Sequence, residues 1–182
     1  MTTLGFCTHF GQTDEMAFDL AFQVVKANDW QLTICHWLHS PYRIRRDMVV
    51  DDLFNPQEIL PVSPKLLNKL EYQLRQYYDP LLEDFTNVAF KLCEGQYQVE
   101  LARCFHTNLL DVVVMGYPSN SIMITEGGES IEDFAARLAY PLVIVGRDGP
   151  ESYMVNVSAL AWMDKFALPE HSWKVLEPVN AF

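Results

Sequence analysis

Five short apolar runs alternate along the chain with stretches of helical periodicity, and this alternation constrains the fold more than any other feature. The runs are Leu4 to His9, Gln31 to Leu38, Val88 to Cys93, Asp111 to Gly116 and Pro141 to Val145. The fourth, Asp-Val-Val-Val-Met-Gly, shows no polar alternation, as a strand covered on both faces requires. Thr13 is positioned to cap the first helix, with Asp14 and Glu15 in the turn where acid suits the helix dipole. Met16, Leu20 and Val24, with Ala17 and Ala21, then share one helical face, and Asn28 and Asp29 end it. Ser63-Pro64 reads as a cap followed by proline at the first helical position. Leu67, Leu70, Leu74, Tyr77, Leu81 and Phe85 recur every three or four residues, and Pro80 inside them predicts a kink or a fresh start capped by Asp79. A further helix is expected over Tyr97 to Leu109. Ser130, with Asp133 three residues on, opens the last helix, whose Phe134, Ala135 and Leu138 face inward.

Strand–helix alternation implies parallel strands joined by right-handed crossovers. The fold class is therefore α/β: an open five-stranded parallel sheet with helices on both faces, a three-layer Rossmann-like sandwich. Residues 1–150 read as one such domain, with a long connection over 39–62. Residues 151–182 read as a C-terminal extension, with Tyr153 to Val157 as an extra strand or a dimer contact and Trp162, Phe166 and Trp173 available for packing. Ligands of such sheets bind beyond the carboxyl ends of the strands, where the strand order switches.

Charge and composition remove several function classes. The 182 residues carry a formal net charge of −11, which opposes broad electrostatic binding to DNA or RNA. No run approaches the ~18 apolar residues of a membrane span. Residues 1–10 show no basic region followed by an apolar run, so a secretory signal is not expected. The four cysteines, at 7, 35, 93 and 104, form no Cys-x-x-Cys pair and are expected to be buried, reduced thiols of a cytoplasmic protein.

The ordered set of segments resembles the universal stress protein family over about residues 3–147. Leu32-Thr33-Ile34-Cys35-His36-Trp37-Leu38 is similar to that family's second strand with its frequent histidine. Asp111 to Gly116 is close to the family's Asp-Leu-Ile-Val-Met-Gly strand, and Ser130 through Val145 resembles its last helix and strand. Members that bind ATP carry Gly-x2-Gly-x9-Gly-Ser/Thr after the fourth strand. The resemblance carries that motif onto Gly116, Ser119, Glu129 and Ser130, so the first glycine and final serine stand while both middle glycines are replaced. The family's aspartate at the end of the first strand falls on Thr8, with His9 adjacent. A nucleotide pocket is thereby implied at Thr8, His9, Trp37, Met115, Gly116, Ser119, Glu129, Ser130 and Ile131.

A phosphate cradle needs closely approaching backbone N–H groups, which glycine permits. Glu129, with Glu126 nearby, instead puts carboxylate where phosphate would sit. Like charges ~5 Å apart at an effective dielectric of ~20 repel by roughly 3 kcal/mol. ATP or another adenine nucleotide is therefore expected to bind weakly, atypically or not at all, unless magnesium bridges carboxylate and phosphate. The resemblance implies a non-enzymatic stress-response or regulatory homodimer that contacts itself through the last strand or the 151–182 tail. A nucleotide hydrolase or transferase using the ends of the first and fourth strands is the alternative, and a pure interaction module with a closed pocket is the third reading.

Other groupings point elsewhere. Arg43, Arg45 and Arg46 lie where an anion would be met, but Asp47, Asp51 and Asp52 neutralise them. Cys7, His9, Cys35, His36 and His39 gather at two strand ends, yet neighbouring strand residues point to opposite faces, so no metal site is expected. Cys104 and His106, two apart on a helix, face different directions, which speaks against a catalytic dyad. Gly11-Gln12-Thr13-Asp14 lacks the Ser-Gly-Gly opening of an ATP pyrophosphatase loop.

Overall fold

A computed structural model describes residues 1–8, 13–38, 48–50, 59–61, 63–94, 97–118 and 130–178. In chain order the elements are β1 (Thr3–Thr8), α1 (Asp14–Asn28), β2 (Gln31–Leu38), β3 (Met48–Val50), β4 (Ile59–Pro61), α2 (Pro64–Tyr78), β5 (Val88–Glu94), α3 (Tyr97–His106), β6 (Val112–Gly116), α4 (Ile131–Arg137), β7 (Leu142–Val145), β8 (Tyr153–Asn156), α5 (Met163–Phe166) and β9 (Trp173–Leu176). The main sheet runs β5-β2-β1-β6-β7-β8-β9. All its pairings are parallel except β7 with β8. β3 and β4 form a separate antiparallel pair inside the expected 39–62 connection.

Strand alternation divides the core between the two faces of the sheet. Leu4 and Phe6 of β1, Leu32 and Ile34 of β2, and Val112 and Val114 of β6 meet Ala17, Phe18, Ala21 and Val24 of α1 on one face. Leu74 and Tyr78 of α2 and Met163 and Phe166 of α5 complete that layer. Cys7, Cys35, Val113, Met115 and Ile144 face the other way, under Leu101, Cys104 and Phe105 of α3 and Phe134 and Ala135 of α4. Burial on both faces is what leaves β1, β6 and β7 without exposed positions.

Several expectations need correction. The sheet has seven strands rather than five, because the tail adds β8 and β9 to the edge of β7. β8 stops at Asn156, one residue earlier than expected, since its side chain caps the following 3-10 stretch Val157–Trp162 by accepting from Ala159 N–H at 3.1 Å. The buried stripe of α2 is Leu66, Leu70, Leu74 and Tyr78, an unbroken i, i+4 series, while Tyr77 and Leu81 are 48% and 45% exposed. Pro80 gives the expected fresh start rather than a kink, and only the expected cap from Asp79 fails. The helix ends at Tyr78 and Asp79–Leu81 forms a 3-10 turn, with no capping bond from the Asp79 side chain. α3 also ends early, at His106, because Asn108 takes a left-handed conformation (φ 55°) and turns the chain toward β6.

Ser63 and Ser130 cap their helices as expected, accepting from the N–H groups of Leu66 at 3.2 Å and Asp133 at 3.1 Å. Thr13 does not. Its hydroxyl makes no capping bond and donates instead to the Tyr117 carbonyl at 2.7 Å. Among the described residues, no helix is long and apolar enough to cross a membrane.

Candidate functional site

The chain leaves β1 toward β2 and β5 on one side, then returns to lay β6 on the other. The strand order therefore switches between β1 and β6, and the notch outside their carboxyl ends is bounded by Thr8 and Gly116. The start of α1 fills this notch. A Cβ on Gly116 would collide with the Thr13 hydroxyl, and would lie 2.8 Å from the Thr13 carbonyl carbon and 2.9 Å from Asp14 Oδ1. The glycine that resembles the first of a phosphate loop thus makes room here for a helix N-terminus.

Asp14 is the residue that sequence reasoning missed. Its position in the first turn of α1 was accounted for by the helix dipole, yet it is only 5% exposed. Asp14 Oδ2 accepts a hydrogen bond from Thr8 Oγ1 at 3.0 Å, and Thr8 Oγ1 in turn accepts from the Tyr78 hydroxyl at 2.6 Å. Burial pushes the Tyr78 phenol up and the Asp14 charge pushes it further, against an opposing hydrogen bond to Thr8, so Tyr78 stays a donor. His36 Nδ1 lies 3.0 Å from the Thr8 carbonyl, which accepts, so the proton sits on Nδ1. The sequence signal available for Asp14 was an acid immediately after the loop that leaves the first strand.

A second polar group flanks the notch. The Tyr117 hydroxyl donates to Glu132 Oε1 at 3.0 Å, and Arg147 Nη1 reaches the same oxygen at 3.3 Å. Burial and then the bond to Glu132 push the Tyr117 phenol up.

The expected pocket residues separate into three groups. Thr8 and Gly116 meet around Asp14. Trp37, Met115 and Ile131 are buried in the apolar cluster beneath α3 and α4. Ser130 is exposed at the head of α4. His9, Ser119 and Glu129 lie outside the described residues, as do His39, Arg43, Arg45, Arg46, Gly11 and Gln12. Among the described residues, no group of three or more His, Cys, Asp or Glu could hold a metal ion. Chemically the notch offers a buried carboxylate and two hydroxyls locked in one chain. The positive end of α1 is already met by Asp14 and Glu15.

No family model matches the sequence, and no curated protein matches it. Solved structures do. A universal stress protein crystallised in complex with cAMP superimposes with a TM-score of 0.53 at 16% identity, over 79% of this chain and 96% of that one. The fold is that of a universal stress protein. A universal stress protein from Archaeoglobus fulgidus has a TM-score of 0.49 at 9% identity, over 79% of this chain and 97% of that one. Universal stress protein UspA from Lactobacillus plantarum has a TM-score of 0.39 at 14% identity, over 65% and 79% of the two chains.

Proposed function

We infer that the chain is a divergent, non-enzymatic regulatory protein of the universal stress protein type, acting as a homodimer whose switch-point notch takes an adenine nucleotide weakly or not at all. The observation that carries this is Asp14, a buried carboxylate at the head of α1 that packs against Gly116. It offsets the helix dipole that would otherwise favour an anion. The carboxylate that the resemblance expects at the end of β1 comes here from α1, six residues on from Thr8. A neighbour of the same fold is described in complex with cAMP, which carries one negative charge where ATP carries several. A notch of this polarity favours the less charged ligand.

The homodimer must use something other than β7. That strand is paired on both sides, by β6 and β8, so it offers no edge to a second copy. The tail is the remaining reading, and Val157 and Leu160, 51% and 40% exposed, are apolar side chains it presents.

Calorimetry with cAMP, AMP, ADP and ATP, each with and without Mg²⁺, tests the ligand reading. The expectation is no ATP binding tighter than ~10 μM, and affinity that falls as phosphate charge is added. Asp14→Asn and Glu129→Gly should each strengthen ATP binding. Sub-micromolar ATP binding by the unaltered protein would overturn this reading, and nucleotide turnover abolished by Asp14→Asn would make the protein an enzyme instead.

A further inference from the structure

Two side-chain donors converge on one carboxylate oxygen beside the notch. The Tyr117 hydroxyl donates to Glu132 Oε1 at 3.0 Å, and Arg147 Nη1 lies 3.3 Å from the same atom. The Arg147 guanidinium also stands 5.9 Å from the centre of the Tyr117 ring, so the cation and the phenol are neighbours in their own right. We propose that Tyr117 and Arg147 form a seat for an anionic oxygen of a ligand's phosphate ester, and that Glu132 is the chain's own stand-in for that oxygen, displaced when ligand binds. This rests on the nucleotide reading of the notch and names the contact that receives the phosphate there.

The two donors are fixed by backbone that meets at Thr13. Tyr117 follows β6 directly. Its N–H donates to the Val145 carbonyl at 2.7 Å, and its own carbonyl accepts from the Thr13 hydroxyl at 2.7 Å. Arg147 follows Gly146, whose left-handed φ of 91° turns the chain out of β7 and whose N–H donates to the Ser152 carbonyl at 2.8 Å. A Cβ on Gly146 would lie 3.1 Å from Thr13 Cγ2, so this turn packs on the head of the helix that fills the notch.

The acceptor is held differently. Glu132 belongs to α4 and reaches the donors with a long, flexible side chain. The Arg147 and Glu132 side chains are 42% and 21% exposed, and an ion pair this open to water is weak, so releasing it costs little. A phosphate oxygen offers both donors the same kind of charge-assisted bond. Burial and then the Glu132 bond push the Tyr117 phenol up, with Arg147 opposing and Asp148 adding to the effect, so Tyr117 remains a donor. Arg147 brings a single positive charge, and Asp148 beside it is acidic, so the seat suits a phosphate of low charge rather than a triphosphate.

The test is calorimetry with cAMP, AMP, inorganic phosphate and adenosine on the unaltered protein and its variants. Glu132→Ala should tighten binding of the three phosphates by about tenfold and leave adenosine unchanged. Glu132→Gln, which keeps the side-chain volume, should give a smaller gain of the same kind. Adding Arg147→Met to Glu132→Ala should remove the gain. Asp148→Asn takes the same charge from beside Tyr117 without opening the seat, and should change affinity by less than about twofold. An equal gain from Asp148→Asn would show that bulk charge alone acts, and would overturn the proposal. So would a gain that survives Arg147→Met, or no gain with any phosphate in either Glu132 variant. If inorganic phosphate shows the gain and its loss while no adenine compound binds any variant, the seat stands and the nucleotide reading of the notch falls. If nucleotides bind every variant alike, that reading stands and the seat falls.

Discussion

Asn156 shows how much a single side chain can hold. It is fully buried, and every polar valence it has is used. Its Oδ1 accepts from Leu142 N–H at 3.0 Å and from Ala159 N–H at 3.1 Å. Its Nδ2 lies within hydrogen-bonding distance of the carbonyls of Ala135, Leu138 and Tyr140, at 3.1, 3.1 and 2.7 Å. One amide therefore ties the end of α4, the start of β7 and the 3-10 stretch after β8. Asn156→Ala would leave backbone groups from three segments without that partner in a dry interior. The expected cost is about 3–5 kcal/mol, which for a chain of this size lowers Tm by roughly 10 °C. Urea unfolding measures it. A loss below about 1 kcal/mol would mean that the segments are held by their apolar contacts alone. Nothing in the sequence marked this asparagine. Its role depends on three segments that only the folded chain brings together.

At the level of elements, two helix starts that look alike in sequence behave differently. Ser63 caps α2 with its own hydroxyl, whereas Thr13 spends its hydroxyl on the Tyr117 carbonyl and joins α1 to the end of β6. Ser63→Ala should cost about 1 kcal/mol in urea unfolding, with α2 losing amide protection in hydrogen exchange before the sheet does. Uniform protection along α2 would show the cap to be dispensable. The contrast explains what was legible. The central strands could be read because burial on both faces demands unbroken apolar runs such as Val112 to Met115. The stripe of α2 was read one residue off at both ends. Tyr77 and Tyr78 are equally good candidates by type, and only the i, i+4 series from Leu66 selects Tyr78. β9 was not anticipated because it is four residues at an edge, with Lys174 exposed and Leu176 alone fully buried, so it has no clean period. Asp14 was seen but not understood, since an acid in a first turn already has a sufficient surface explanation.

At the scale of the whole molecule, charge sets the terms on which two copies can meet. Each copy carries −11, so the proposed homodimer would assemble against its own field. The contact proposed for it is apolar, through a tail that shows Val157 and Leu160. Salt should then strengthen association. The Debye length is about 10 Å at 0.1 M and about 3 Å at 1 M, so repulsion between the two acidic bodies is mostly screened at the higher concentration while apolar contact is undiminished. Light scattering across a dilution series should show a larger share of a species at twice 21.0 kDa as salt rises. If the share falls instead, ion pairs between copies hold the dimer and the apolar tail is not its contact. If only the 21.0 kDa species is seen at every salt and protein concentration, the homodimer itself is refused, and the exposed tail residues must be explained within one chain.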